Sequence, residues 1–184
     1  MMGSGIAEVC ARAGSDVIVH EIHAEAAEAA QTRIGQSLDR AVEKGKLEST
    51  ERDAILARIA LSTDIADQAD RQLVIEAATE DEDLKKQIFA DLDAVAPRDS
   101  ILASNTSSIP ITRIAAATTR PDQVVGLHFF NPVPVMGLVE MVTTVMSSSD
   151  VETRVQSYAE SLGKTVIRAK DRAGFIVNFL LFPI

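Results

Sequence analysis

The chain has 184 residues, 46% of them hydrophobic and 24% charged, which suits one folded domain with the edge of a second and excludes a disordered or fibrous polypeptide. Its 27 acidic against 18 basic side chains leave a formal charge of −9, and no basic cluster offsets it, so no nucleic-acid partner is expected. One cysteine, Cys10, excludes an internal disulfide and a multi-cysteine zinc site and points to a reducing, cytoplasmic setting; the longest apolar run, 175–184, is far short of the roughly 20 residues that span a bilayer, so no membrane segment is expected.

Ile6, Val9, Cys10 and Ala13 recur at helical spacing, with Gly14 as the stop. The β-branched run Val17, Ile18, Val19 predicts a buried strand. Alanine-rich 24–44 reads as a long helix ended near Gly45, and Ser49 with Asp53, or Thr50 beside Glu51, caps a further helix reaching Ile59. Leu73, Val74 and Ile75 form a second strand, followed by an amphipathic helix over 81–96 that stops before Pro97. A third strand spans 101–103, and Ser108 with Pro110 marks a helix start. Strands over 124–130 and 138–142 flank a turn at Pro132 and Pro134, a helix covers 150–162, and a last strand covers 165–167. Such alternation predicts an α/β fold of the doubly wound type, a mostly parallel sheet with helices on both faces. Both ends read as cut: the chain opens on a helix where that fold ordinarily supplies a strand first, and it closes on an apolar segment, 179–184.

Three constellations carry chemistry. Gly3, Ser4 and Gly5, a helix, a strand and then Glu21 follow the later part of a dinucleotide-binding βαβ unit, in which helix N–H groups meet a diphosphate and an acid bonds the ribose hydroxyls. The competing reading is an ordinary glycine start and a solvated Glu21. A carboxylate there would repel a 2′-phosphate, which favours NAD over NADP. Second, Ser104, Asn105, Thr106, Ser107 and Ser108 stand at a strand end, where open α/β sheets place their ligand crevice; a cap plus turn explains Ser108 and one neighbour but not all five. Third, His128 precedes Glu140 by twelve residues on what read as neighbouring strands. The carboxylate would then hold one imidazole nitrogen, fix the tautomer and leave the other nitrogen as a general base. His20 and His23 have no comparable setting, and with three histidines in all no metal site is expected.

The blocks Ser-Asn-Thr-Ser-Ser at 104–108, His-Phe-Phe-Asn-Pro-Val-Pro-Val-Met at 128–136 and Leu-Val-Glu-Met-Val at 138–142 resemble, in order and spacing, the L-3-hydroxyacyl-CoA dehydrogenase family. Gly174, Phe175, Ile176, Val177 and Asn178 resemble the family segment where the NAD domain passes into a helical domain. The resemblance covers nearly the whole chain and implies an NAD-binding Rossmann-type domain over 1–172, with 173–184 starting the helical domain. It implies NAD-dependent oxidation of a (S)-3-hydroxyacyl-CoA, or the reverse, in fatty-acid or butanoate metabolism.

By the same resemblance His128 is the base, Glu140 orients it, and Ser107 and Asn178 hydrogen-bond the reacting oxygen. Gly3, Glu21, Glu80, Lys85, Ser107 and Asn131 match cofactor positions, and Ser37 and Lys44 match CoA contacts, along with Ser107 and Asn178 for the substrate. The family's remaining helical domain implies a homodimer interface. Departures are the glycine motif, of which only Gly3 is kept, together with Gly137 and Phe179 where lysine and arginine are common. A family strand ahead of Gly3 would be central, so its loss would open two strand edges and delete most of the diphosphate cradle; weak dinucleotide binding by the chain as given is therefore expected. Two other readings stay open: a non-catalytic nucleotide-binding fragment, and a dehydrogenase of a 3-hydroxy acid lacking CoA.

Overall fold

The computed structural model places residues 2–181 and divides into two compact units, Met1–Asp67 with Asn131–Val135, and Gln68–Phe130 with Met136–Ile184. The apolar terminal residues 182–184 lie outside the described residues. In the first unit, α1 (Met2–Arg12) ends before Gly14, whose φ of 94° reverses the chain into β1 (Val17–His20). The long α2 (Ala24–Glu43) buries Ala27, Ala30, Ile34 and Leu38, spaced by three and four so that they share one face. Those side chains meet Ala7, Ala11, Val19, Ile55 and Ile59 in one apolar cluster.

The expectation of a helix reaching Ile59 fails here. Helix α3 (Ser49–Ala57) is started by Glu48, whose N–H donates to the Glu51 carboxylate, and stops two residues earlier; Ile59–Ser62 is instead a strand, β2. So short an apolar run has no decisive period, and the choice is made by a partner distant in sequence. Val17 aligns with Ile59 and His20 with Ser62 in a parallel two-stranded sheet, which buries Ile59.

In the second unit the elements run β3 (Leu73–Glu76), α4 (Glu82–Val95), β4 (Ile101–Ser104), α5 (Ile111–Ala115), β5 (Val124–Phe129), β6 (Leu138–Thr143), α6 (Ser149–Ser161), β7 (Thr165–Lys170) and α7 (Val177–Leu181). The sheet order is β3-β4-β5-β6-β7, parallel except for the antiparallel β5–β6 pair. This is the expected α/β class, mostly parallel. All six residues of β5 are buried, as a central strand requires. Asp81 caps α4 by accepting from the Leu84 N–H, and Ser148 caps α6 through the Val151 N–H. Among the described residues β1 has a ladder partner only in β2, and β3 only in β4. No helix among them is long and apolar enough to cross a membrane.

A second expectation is corrected at α5. Ser108 does not cap it; the Ile111 and Thr112 N–H groups donate to the Asp171 carboxylate, 2.6 and 2.8 Å away, from just beyond β7. A cap supplied from sixty residues away leaves no local signal.

Gly126 of β5 is held to glycine by space. A Cβ there would come within 2.8 Å of the Val142 side chain and 2.9 Å of Ile111. Gly126→Ala is expected to destabilise the fold by about 1–3 kcal/mol through overpacking, read as a lower urea midpoint; an unmoved midpoint would show that α5 and β6 give way freely.

Candidate active site

Antiparallel register sets His128 of β5 directly opposite Glu140 of β6. Their side chains face each other, with His128 Nδ1 2.6 Å from Glu140 Oε2 and exposures of 8% and 0%. A carboxylate only accepts, so Nδ1 carries the proton in this contact and Nε2 is the nitrogen left with a lone pair. Nε2 has no hydrogen-bond partner among the described residues. The other carboxylate oxygen, Oε1, accepts from the Ile176 and Val177 N–H groups at 3.0 and 2.9 Å, where α7 begins. Phe130 and Phe175 pack on the imidazole, with ring centroids at 4.5 and 5.8 Å, and fix its tilt.

The same unit holds the hydroxyl-rich loop after β4. Glu80 Oε1 accepts from the Thr106 and Ser108 hydroxyls and from the Ser107 and Ser108 N–H groups, at 2.5 to 3.0 Å, with the Ser107 hydroxyl at 3.3 Å. Burial alone would raise the Glu80 carboxyl, but these hydrogen bonds, together with the Lys85 charge, outweigh it and hold the group below its ordinary value of 4.5. Asn178 of α7 donates from Nδ2 to the Ser107 carbonyl at 3.2 Å, so Ser107 and Asn178 are neighbours. The Lys85 side chain is 1% exposed; its ammonium donates to Glu76 Oε1 at 2.6 Å and lies 3.8 Å from Glu80 Oε2. Lys85 thus meets the loop through Glu80.

Sequence reasoning missed Glu76. Its carboxylate accepts from Lys85, from the Ala78 N–H at 2.6 Å and from the Ser104 hydroxyl at 2.7 Å, and it is buried. It therefore ties the end of β3 to the end of β4 and to both loops that follow. The available signal was an acid closing an apolar strand, with a lysine nine residues on.

In the first unit, Gly3 lies in the opening turn of α1, where backbone N–H groups have no helical partner. Glu21 follows β1 directly, its N–H donating to the Ser62 carbonyl, and its carboxylate takes no hydrogen bond among the described residues. Free N–H groups and an unengaged acid one helix and one strand apart fit a dinucleotide's diphosphate and ribose hydroxyls. Ser37 and Asn131 line one cleft, together with Ser4, Arg33 and Arg40. Lys44 caps the end of α2 and does not line it, and His20 and His23 are exposed.

Residues 1–172 match the family described as 3-hydroxyacyl-CoA dehydrogenase, NAD binding domain. The chain is 53% identical over 184 residues to a 3-hydroxybutyryl-CoA dehydrogenase of Mycobacterium tuberculosis, covering 99% of this chain and 64% of that protein. It is 41% identical over 189 residues to the mitochondrial hydroxyacyl-coenzyme A dehydrogenase of Homo sapiens, covering all of this chain and 60% of that protein. The crystal structure of (S)-3-hydroxybutyryl-CoA dehydrogenase from Ralstonia eutropha superposes with a TM-score of 0.95 at 43% identity, over 98% of this chain and 64% of that one. The chain thus spans slightly under two thirds of the length of these relatives.

The depressed Glu80 carboxyl sets a pH dependence for the loop it holds. The stabilisation is fully present above the ordinary value of 4.5 and is lost as pH falls through the lower folded-state value. Amide hydrogen-exchange protection of Ser107 and Ser108, corrected for intrinsic rates, is expected to hold from about pH 6 down to about 4.5 and to drop on further acidification. Constant protection down to about pH 3 would mean that the carboxylate does not hold the loop.

Proposed function

The chain belongs to the 3-hydroxyacyl-CoA dehydrogenase family, its residues 1–172 forming the NAD-binding domain, and on that premise we propose that the intact protein oxidises the 3-hydroxyl of a (S)-3-hydroxyacyl-CoA to a ketone, or runs the reverse. The observation that carries this reading is the buried His128–Glu140 pair with Nε2 of the imidazole unengaged. NAD, when bound, takes the hydride from carbon 3. His128 Nε2 accepts the hydroxyl proton as that hydride leaves, so the O–H and C3–H bonds break while the C=O bond forms. Glu140 holds Nδ1–H throughout and balances the imidazolium that results.

Charge develops on the reacting oxygen, and donors aimed at it lower the barrier. Ser107 offers its hydroxyl and Asn178 its second amide proton, the first being used on the Ser107 carbonyl. Glu80 and Lys85 act on the same loop, Glu80 by direct hydrogen bonds and Lys85 through its charge. In the first unit Glu21 takes the adenosine ribose and the α1 N-terminus the diphosphate, while Ser37 and Lys44 take the CoA portion and Asn131 belongs to the cofactor's nicotinamide half. We place the end of the cofactor domain at residue 172, with 173–184 starting the helical part. A reducing compartment suits Cys10 and places the reaction in the cytoplasm.

His128→Gln in the intact protein carrying this sequence is expected to lower kcat for 3-hydroxybutyryl-CoA oxidation by about 10²–10⁴, followed as NADH absorbance, with NAD affinity by fluorescence titration little changed. Near-parental turnover by that variant would sink the assignment.

A further inference from the structure

We propose that Arg33 and Arg40, with Ser37 between them and Lys44 beyond, form a phosphate-reading face that holds the nucleotide end of the thioester carrier; the assignment rests on the acyl-CoA reading above. The four residues stand at i, i+4, i+7 and i+11 of α2 and its cap, which at about 100° per residue puts them within an arc of roughly 60°. At about 1.5 Å per residue the row is on the order of 16 Å long. Ile34 and Leu38 of the adjoining face are locked in the apolar cluster, which fixes the rotation of the helix and with it the direction of the row.

Arg33, Ser37 and Arg40 line a cleft of about 190 Å³ with Ser4, Gln36 and Asn131. Arg33 Nε donates to the Ser4 hydroxyl at 3.2 Å, which positions the guanidinium and leaves its two terminal nitrogens to bind. Among the described residues none of Arg33, Arg40 and Lys44 takes part in an ion pair. The nearby acids are otherwise engaged: Glu8, which also lines the cleft, is 1% exposed and bound to Arg12, and Asp39 is bound to Arg52. On a chain of charge −9, three such cations in a row beside a cleft form a local anion site.

Length and charge select the ligand. A CoA thioester carries a diphosphate and a separate ribose phosphate, about four negative charges at neutral pH, whereas NAD carries the diphosphate alone. Three cations over about 16 Å exceed what one diphosphate occupies and suit phosphates set apart from each other. Glu21, one strand away in sequence, presents like charge to any further phosphate on the dinucleotide ribose.

The test uses the intact protein carrying this sequence. Isothermal titration with free CoA, 3′-dephospho-CoA and NADH compares the parent with Arg33→Gln, Arg40→Gln and the double variant, and Arg40→Lys checks for rescue by charge. Each single glutamine variant is expected to weaken CoA about fivefold and the double about twentyfold or more, with a smaller loss for 3′-dephospho-CoA and NADH affinity unmoved. In turnover, KM for acetoacetyl-CoA rises more than KM for acetoacetyl-pantetheine, which lacks the nucleotide. Unmoved CoA affinity in the double variant, or equal losses for CoA and NADH, overturns the assignment. If acyl-CoA turnover is absent while CoA binding still depends on the two arginines, the dehydrogenase reading falls and the phosphate face stands. If turnover is present while CoA binding is indifferent to the arginines, the phosphate face falls and the dehydrogenase reading stands.

Discussion

A carboxylate sealed from water has to find a donor for each oxygen or cost the fold several kcal/mol, and Glu140 meets that demand by reaching in two directions. Oε2 holds the imidazole of His128 across the β5–β6 ladder, and Oε1 holds the backbone where α7 begins. The ring's orientation and the placement of Asn178, one residue past that contact, are therefore coupled through a single buried group. Register enforces the coupling: a one-residue slip of β6 would turn Glu140 to the other face of the sheet and leave the histidine without its acceptor. The packing that fixes the register, Gly126 against Val142 and Ile111 on the same pair of strands, is accordingly part of how the site is built.

Two further carboxylates divide the work at the adjacent strand ends. Glu76 is buried and engaged by Lys85, Ser104 and the Ala78 N–H, so it fixes where β3 and β4 end. Glu80, 37% exposed, gathers the hydroxyls and N–H groups of residues 106–108. Lys85 sits within reach of both and offsets their repulsion. The small side chains of that loop are thus explained by what they donate to, since a bulkier residue would neither fit nor supply the hydroxyl. This loop in turn carries the carbonyl that Asn178 meets, so the two halves of the oxyanion-facing group share one support.

How much is legible in the sequence varies with the range of the interaction that decides each feature. The helix over 24–43 is legible because Ala27, Ala30, Ile34 and Leu38 repeat locally, and the Asp81 and Ser148 caps because they bond three residues ahead. The strand at Ile59–Ser62 is not, since its ladder partner lies some forty residues away at Val17–His20. The α5 cap escapes sequence reading for the same reason: Ser108 is the local candidate, whereas Asp171 is remote in the chain. Among candidate site residues, His128, Glu140, Ser107 and Asn178 can be named from the sequence, whereas Glu76 reads as one acid among 27.

The sequence by itself determined the α/β alternation, the family and the residue types available for proton transfer and for binding, because periodicity, turn chemistry and ordered motif blocks are local properties of a chain. Tertiary structure alone decided which carboxylate meets which donor. Glu76, Glu80 and Glu140 are the same side chain in the sequence, and they differ because burial removes water as the alternative partner and leaves each acid only the neighbours that strand register and helix packing bring to it.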